Sequence, residues 1–247
     1  AWSPPGHVWL PDLQVLVARE RPGSTDGFTL AAKGGHNDES HNHNDVGNLI
    51  VYLDGQPVLV DAGVGTYTAK TFSSRRYEIW TMQSAFHNLP TVNGVQQRAG
   101  RRFEARDVAF EDLGDQGVAL ELELAGAWPA EARLESLRRR VVLDRARGSV
   151  EVSDGLRLAQ AGGPTTWNLL TPLAASTEEA GALALADGEG RVVARVRYDA
   201  GQLQPRIEPI DLEDARLARS WPDGLSRIVL TQRGLPTEAD VALLVTR

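Results

Sequence analysis

Leu49-Ile50-Val51-Tyr52-Leu53-Asp54-Gly55-Gln56-Pro57-Val58-Leu59-Val60-Asp61 reads as a β-hairpin. Two apolar runs rich in β-branched residues flank Asp54-Gly55, a pair that accepts positive φ at both central positions of a type I′ turn. With a two-residue turn, Val51 opposes Val58, Leu49 opposes Val60, and Asp61 falls opposite Asn48. The other face then carries Ile50, Tyr52 and Leu59. Both faces are apolar, which predicts a central hairpin covered on both sides in the middle of a sandwich.

The surrounding sequence repeats this idiom. Short alternating runs at 14–19, 28–33, 118–124, 140–143, 149–152, 192–198 and 241–245 predict strands. Ser153-Asp154-Gly155, Asp187-Gly188 and Pro222-Asp223-Gly224 are expected to punctuate them as turns. Residues 175–190, rich in Ala, Glu and Gly, are expected to form a surface loop with a helical turn. Long stretches of helical period are scarce, and no internal repeat is evident. The expected fold is all-β, an antiparallel β-sandwich with few short helical turns. Residues 1–175 would form its core, with a site region at 34–94, and 176–247 would continue the strands of the same sandwich.

A net charge of -7 argues against a general nucleic-acid binder, which needs a basic footprint. No apolar run approaches the roughly 18 residues that span a bilayer. An acidic ligand must therefore be met by a local cluster. With no cysteine, disulfides and thiolate metal sites are excluded. Lysine stands only at Lys33 and Lys70, and every other of the 26 basic residues is arginine, a bias expected of a GC-rich genome as much as of carboxylate recognition. The start, Ala1-Trp2-Ser3-Pro4-Pro5-Gly6, has neither an initiator Met nor an apolar signal segment, as expected of a piece trimmed from a longer protein.

Every histidine except His7 falls within 36–87, a segment also rich in Asn, Asp and Gly. In extended backbone His41 and His43 point to the same side, so the H-x-H pair can serve one site. Asp61 joins His43 only if 44–47 curls rather than runs straight, and Asn, Asp and Gly permit that bend. His87 would be brought in by a later segment. Two imidazoles and a carboxylate make a plausible zinc set. The spacing leaves His36 as a competing ligand, while scattered loop histidines are more often solvated polar groups. His7, near a Pro-rich start, is expected to carry no function.

The stretch from Lys33 through Gly94 resembles the signature region of the heparinase II/III-like polysaccharide lyases of bacteria. The matching phrases are Ser40-His41-Asn42-His43-Asn44-Asp45, Asp54-Gly55-Gln56-Pro57-Val58-Leu59-Val60-Asp61-Ala62-Gly63, Tyr67, Arg75-Arg76-Tyr77, Ser84-Ala85-Phe86-His87-Asn88 and Val92-Asn93-Gly94. The resemblance implies one structural zinc held by His43, Asp61 and His87, with His41 facing the substrate cleft. It implies cleavage of uronic-acid-containing polysaccharide by β-elimination, and a periplasmic or secreted location. It also implies a partner that this sequence does not contain, an N-terminal helical toroid carrying a tyrosine acid/base and a carboxylate neutraliser. The domain alone is then expected to be inactive.

Elimination needs a base for the proton α to the uronate carboxylate, a neutraliser for that carboxylate, and an acid for the leaving oxygen. His41 could serve as neutraliser or base, and Tyr67, Arg75, Arg76 and Tyr77 are candidate substrate contacts. Two other readings compete. A zinc-dependent hydrolase would need Glu39 or Asp45 as general base, since no H-E-x-x-H phrase is present. A carbohydrate-binding sandwich without chemistry would leave the histidine cluster without a purpose.

Overall fold

Residues 3–247 are described by the structure, a computed structural model. The Asp54-Gly55 turn forms with φ of 51° and 79° and joins strands Leu49–Leu53 and Gln56–Leu59. The register differs from the simple expectation beyond the turn. Leu53 pairs with Gln56 and Tyr52 with Pro57, but Val51 then pairs with Leu59 instead of Val58. Val58 is the extra residue of a bulge next to Pro57, whose missing N–H weakens the ladder there.

This hairpin is not central. It closes one edge of a five-stranded sheet in the order His7–Leu10, Val15–Arg19, Phe28–Lys33, Leu49–Leu53, Gln56–Leu59. Nor are both faces covered equally. Leu49, Val51 and Leu53 are buried while Ile50 and Tyr52 are half-buried, and Phe28–Lys33 alternates in the same way. One face packs inward and the other meets solvent in part, as antiparallel sheets allow.

Against the buried face lies an eight-stranded antiparallel sheet in the order Ala174–Glu179, Ala182–Ala186, Val192–Arg197, Glu238–Thr246, Ser149–Leu158, Leu134–Asp144, Gly117–Glu123, Arg106–Asp112. Leu30, Val51 and Phe28 of the first sheet belong to one buried cluster with Leu143, Val152 and Val245 of the second. Each such side chain contributes about 1.5–3 kcal/mol on full burial. A four-stranded sheet, Leu203–Ile210, Leu225–Gln232, Thr166–Thr171 and Pro90–Thr91, and the short pair His36–Asn37 with Gly100–Glu104 complete the strands. The single α-helix among the described residues is Ala215–Ser220, and no helix is long and apolar enough to cross a membrane. The chain is thus an all-β antiparallel sandwich, as its patterning predicts.

Two further expectations fail. Ser153-Asp154-Gly155 is no turn, because it runs through the middle of Ser149–Leu158. Asp154 there is 2% exposed and bonded on both oxygens, by Arg139 and by Trp167 Nε1, so tertiary pairing overrides its turn preference. Residues 175–190 are not a surface loop either. They form the hairpin Ala174–Glu179 and Ala182–Ala186, in which Leu183 and Leu185 are fully buried.

Candidate metal centre and its aromatic rim

Beyond strand Phe28–Lys33 the chain makes a short bridge at His36–Asn37 and then bends through 38–47. The curl expected at 44–47 is present: Asn48 N–H donates to Asp45 O at 2.9 Å and Gly47 has φ 85°. His41 sits in the left-handed region at φ 59°, a strained conformation for a residue with a Cβ. Its successor is what holds it there. Asn42 donates its N–H to Glu39 O, accepts Glu39 N–H on Oδ1, and donates Nδ2 to Tyr77 Oη at 3.1 Å. Arg76 Nε donates to the Asn42 carbonyl at 2.9 Å.

Beneath this loop lies a buried amide pair. Gln97 accepts Val46 N–H and returns its Nε2 to Val46 O at 2.7 Å. Asn37 donates to Gln97 Oε1 and accepts Asp45 N–H. These bonds satisfy backbone groups that would otherwise be buried unpaired.

The bend carries His43 to Asp61 and His87. One ligand atom from each of the three lies within 4.8 Å of the others. His87, 1% exposed, follows the single turn Ser84–Phe86 and places Nδ1 3.0 Å from Asp61 Oδ2. The His43 and His87 rings are 5.4 Å apart. Asn48 Nδ2 also reaches Asp61 Oδ2, at 3.3 Å, so the predicted neighbourhood of Asn48 and Asp61 is kept despite the bulge.

Burial and charge oppose each other here. Burial pushes the Asp61 carboxyl up, but the two imidazoles and the Gly63 N–H outweigh it and hold its pKa well below the carboxylate range. Burial also disfavours charge on His87, yet contact with Asp61 raises its pKa. For His43, burial prevails over Asp61 and the pKa falls.

Both ring nitrogens of His87 are buried without a hydrogen bond of acceptable geometry; the Asp61 contact is ionic in distance only. Leaving such atoms unpaired costs about 1–3 kcal/mol each. A cation held with His43 and Asp61 would take one of these two nitrogens and relieve that part of the deficit, and two imidazoles with a carboxylate are a donor set suited to zinc. The residues therefore fit a metal. His36 is outside the group: its Nδ1 accepts Asp38 N–H at 3.1 Å and its backbone pairs with Glu104. His7, also outside the group, packs on Phe110 with its Nε2 3.6 Å from Asp112 Oδ2.

The remaining candidates divide. His41 is exposed; its ring stacks on Tyr67 at 6.0 Å with an interplanar angle of 10°, and its Nδ1 lies 3.4 Å from Tyr67 Oη. Arg75 is exposed and held by Glu78. Arg76 is turned inward, with Nε and Nη1 on the carbonyls of Asn42 and Thr71, and Tyr77 accepts from Asn42. Arg76 and Tyr77 thus brace the His41–His43 loop.

Sequence reading missed the residues that lock the loops together. Asn88 Nδ2 donates to Leu49 O and Val60 O, and its Oδ1 accepts Leu170 N–H. Arg139 Nη1 donates to Gly47 O and Asn88 O, both at 2.9 Å, while its other nitrogens grip Asp154. The available signal was that 137, 139, 141 and 143 share one strand face, so an arginine among apolar residues requires a buried partner.

Fold and donor set together define a β-sandwich domain with a candidate metal centre beneath an exposed histidine. The chain belongs to the family described as heparinase II/III-like, C-terminal, whose model matches residues 9–234. It is similar in structure to the heparan sulfate lyase HepC of Pedobacter heparinus, with a TM-score of 0.74 and 14% identity over 97% of this chain and 36% of that one. A heparinase III structure matches with a TM-score of 0.70 and 14% identity, over 99% of this chain and 37% of that one. A Streptomyces coelicolor A3 chondroitin AC lyase in complex with chondroitin sulphate matches at 0.55 and 15%, covering 100% of this chain and 33% of that one. The chain spans about a third of the length of these structures. No curated protein sequence gave a significant match.

Proposed function

We propose that this domain is the sandwich half of a polysaccharide lyase that cleaves uronic-acid-containing polysaccharide by β-elimination. An N-terminal helical toroid completes the enzyme, which acts in the periplasm or outside the cell. The observation that carries the reading is His41: an exposed imidazole in a strained backbone conformation, braced by Asn42, Arg76 and Tyr77 and two residues from His43 of the donor set. Other residues of the chain share the positive φ; what supports a functional role is its combination here with an exposed imidazole and a neighbour, Asn42, fixed by bonds from several segments.

In the reaction a base removes the proton α to the uronate carboxylate, the bond from the β carbon to the glycosidic oxygen breaks, and an acid protonates that oxygen. His41 meets the carboxylate face, neutralising the developing charge or taking the proton according to the sugar epimer. Tyr67 Oη, next to His41 Nδ1, orients the ring. One zinc at His43, Asp61 and His87 would supply a structural tie between three loops. The acid/base tyrosine belongs to the toroid, so the 247-residue chain by itself is inactive.

A hydrolase reading is disfavoured by Lys33. Its Nζ holds Asp45 at 2.8 Å and Glu39 at 3.2 Å, which commits both candidate bases to an ion pair.

The test uses the protein in which this domain is joined to its toroid. His41→Ala is expected to lower formation of unsaturated uronate product by about 100-fold or more, with thermal stability retained because His41 is exposed. Undiminished turnover by the variant, or robust product formation by the 247-residue chain alone, would overturn the reading.

A further inference from the structure

We infer that Tyr67 and Phe72 form an aromatic platform on which one pyranose ring of an acidic polysaccharide stacks, beside the ring presented to His41. The inference rests on the reading of His41 as facing substrate.

Three aromatic rings run in series across the surface. His41 stacks on Tyr67, and Tyr67 meets Phe72 edge-on at 5.5 Å. Tyr67 is 42% exposed, and Phe72 at 70% is the most exposed of the large apolar side chains described. An exposed phenylalanine alone would be unremarkable on a protein surface. Here it extends a contiguous ridge that begins at the candidate catalytic imidazole.

The exposure is not the result of a loose segment. Phe72 ends the turn Ala69–Phe72, whose Thr68 N–H donates to Thr71 Oγ1 at 3.0 Å. Thr71 is 2% exposed and its carbonyl accepts Arg76 Nη1 at 2.9 Å. Ser73 closes the other side with N–H and Oγ both donating to Lys70 O. Upstream, Thr66 N–H is tied to Asp214 Oδ2 at 2.9 Å. The backbone is pinned from inside while the ring points outward, so a ligand finds the ridge already ordered and little entropy is lost on binding.

The surroundings select the ligand. Thr66, Thr68, Ser73 and Ser74, the sequence neighbours of the two rings, are exposed, so polar residues flank a small apolar pair. A protein partner would need a broader patch. A pyranose offers the complement, an apolar C–H face with hydroxyls at its edge. At the rim, Lys70 and Arg75 share one carboxylate, Glu78, at 3.0 and 2.9 Å. Two cations on one anion leave positive charge for a carboxylated or sulfated sugar.

The test is direct binding of oligosaccharides of heparan sulfate, hyaluronan and alginate to the 247-residue chain by saturation-transfer nuclear magnetic resonance, without reference to turnover. With at least one probe, ring C–H protons are expected to show the strongest transfer. Phe72→Ala is expected to weaken binding about tenfold, in line with base–aromatic stacking, and Phe72→Trp to retain it. Leu235→Ala, at a similarly exposed leucine in a distant turn, is expected to change nothing. Binding by Phe72→Ala equal to that of the unaltered chain, or no binding of any probe at millimolar concentration, would overturn the platform. Loss of binding in Phe72→Ala without any unsaturated product in the toroid-joined protein would keep the platform and sink the lyase reading. Product formation that needs His41 but is indifferent to Phe72, in both KM and kcat, would do the reverse.

Discussion

His87 has two buried ring nitrogens without hydrogen-bond partners and a carboxylate at 3.0 Å. A side chain in that state gains most from a metal, and the domain gains with it, because ligand bound to the native state adds stability by mass action. Zinc is therefore expected to bind the unaltered chain stoichiometrically and to raise its Tm, and His87→Ala to abolish both effects. His36→Ala should keep both, since His36 lies outside the donor group. Absence of stoichiometric zinc in the unaltered chain after zinc loading, measured by atomic emission, would count against the metal itself.

At the level of elements, Glu123 shows how one carboxylate ties a strand end to its neighbour. Its oxygens accept Ala125 N–H and Leu137 N–H, both at 2.9 Å, and Ser136 Oγ at 2.6 Å. These bonds bridge Gly117–Glu123 and Leu134–Asp144. Burial raises the Glu123 pKa, but the three donors and nearby Arg138 outweigh it and the net shift is downward. A carboxyl with a depressed folded pKa adds stability above the unfolded value of about 4.3, and that stability is lost as pH falls through the folded pKa. Glu123→Gln is expected to cost about 1 kcal/mol at neutral pH, the gap closing under acid. Urea unfolding across pH checks this; a gap constant down to the most acid point would contradict it.

Across the whole molecule, Arg139 is the junction between the eight-stranded sheet and the loops that carry the site. It is 2% exposed, pairs with Asp154 on the neighbouring strand, and holds the carbonyls of Gly47 and Asn88. Arg139→Met leaves a buried carboxylate with only Trp167 Nε1, and is expected to cost about 3–5 kcal/mol. Arg139→Met with Asp154→Leu should recover much of the stability, because no buried charge remains unpaired. It should not recover zinc affinity, since the two carbonyls flanking the donor loops are still released. Urea unfolding and chelator competition separate these effects; full recovery of both would show that the network has no part in shaping the site.

The hairpin turn and the strand-rich sandwich were legible in the chain itself, whereas spacing alone left His36 beside His43, Asp61 and His87, and the family resemblance made the choice among them. Asp54-Gly55 encodes its conformation locally, alternation reports which face is buried, and the Asn-Asp-Gly run at 44–47 announces a bend. Such information is short in range. Only the folded structure decided that Val58 bulges beside Pro57, that Asp154 spends its turn-forming side chain on Arg139, and that Ala182–Ala186 is a buried strand. It alone turned Arg76 inward to the His41–His43 loop and left Phe72 outside as the end of an aromatic ridge. Each of these outcomes depends on partners distant in sequence, and the balance between burying a group and satisfying it is settled only once those partners meet.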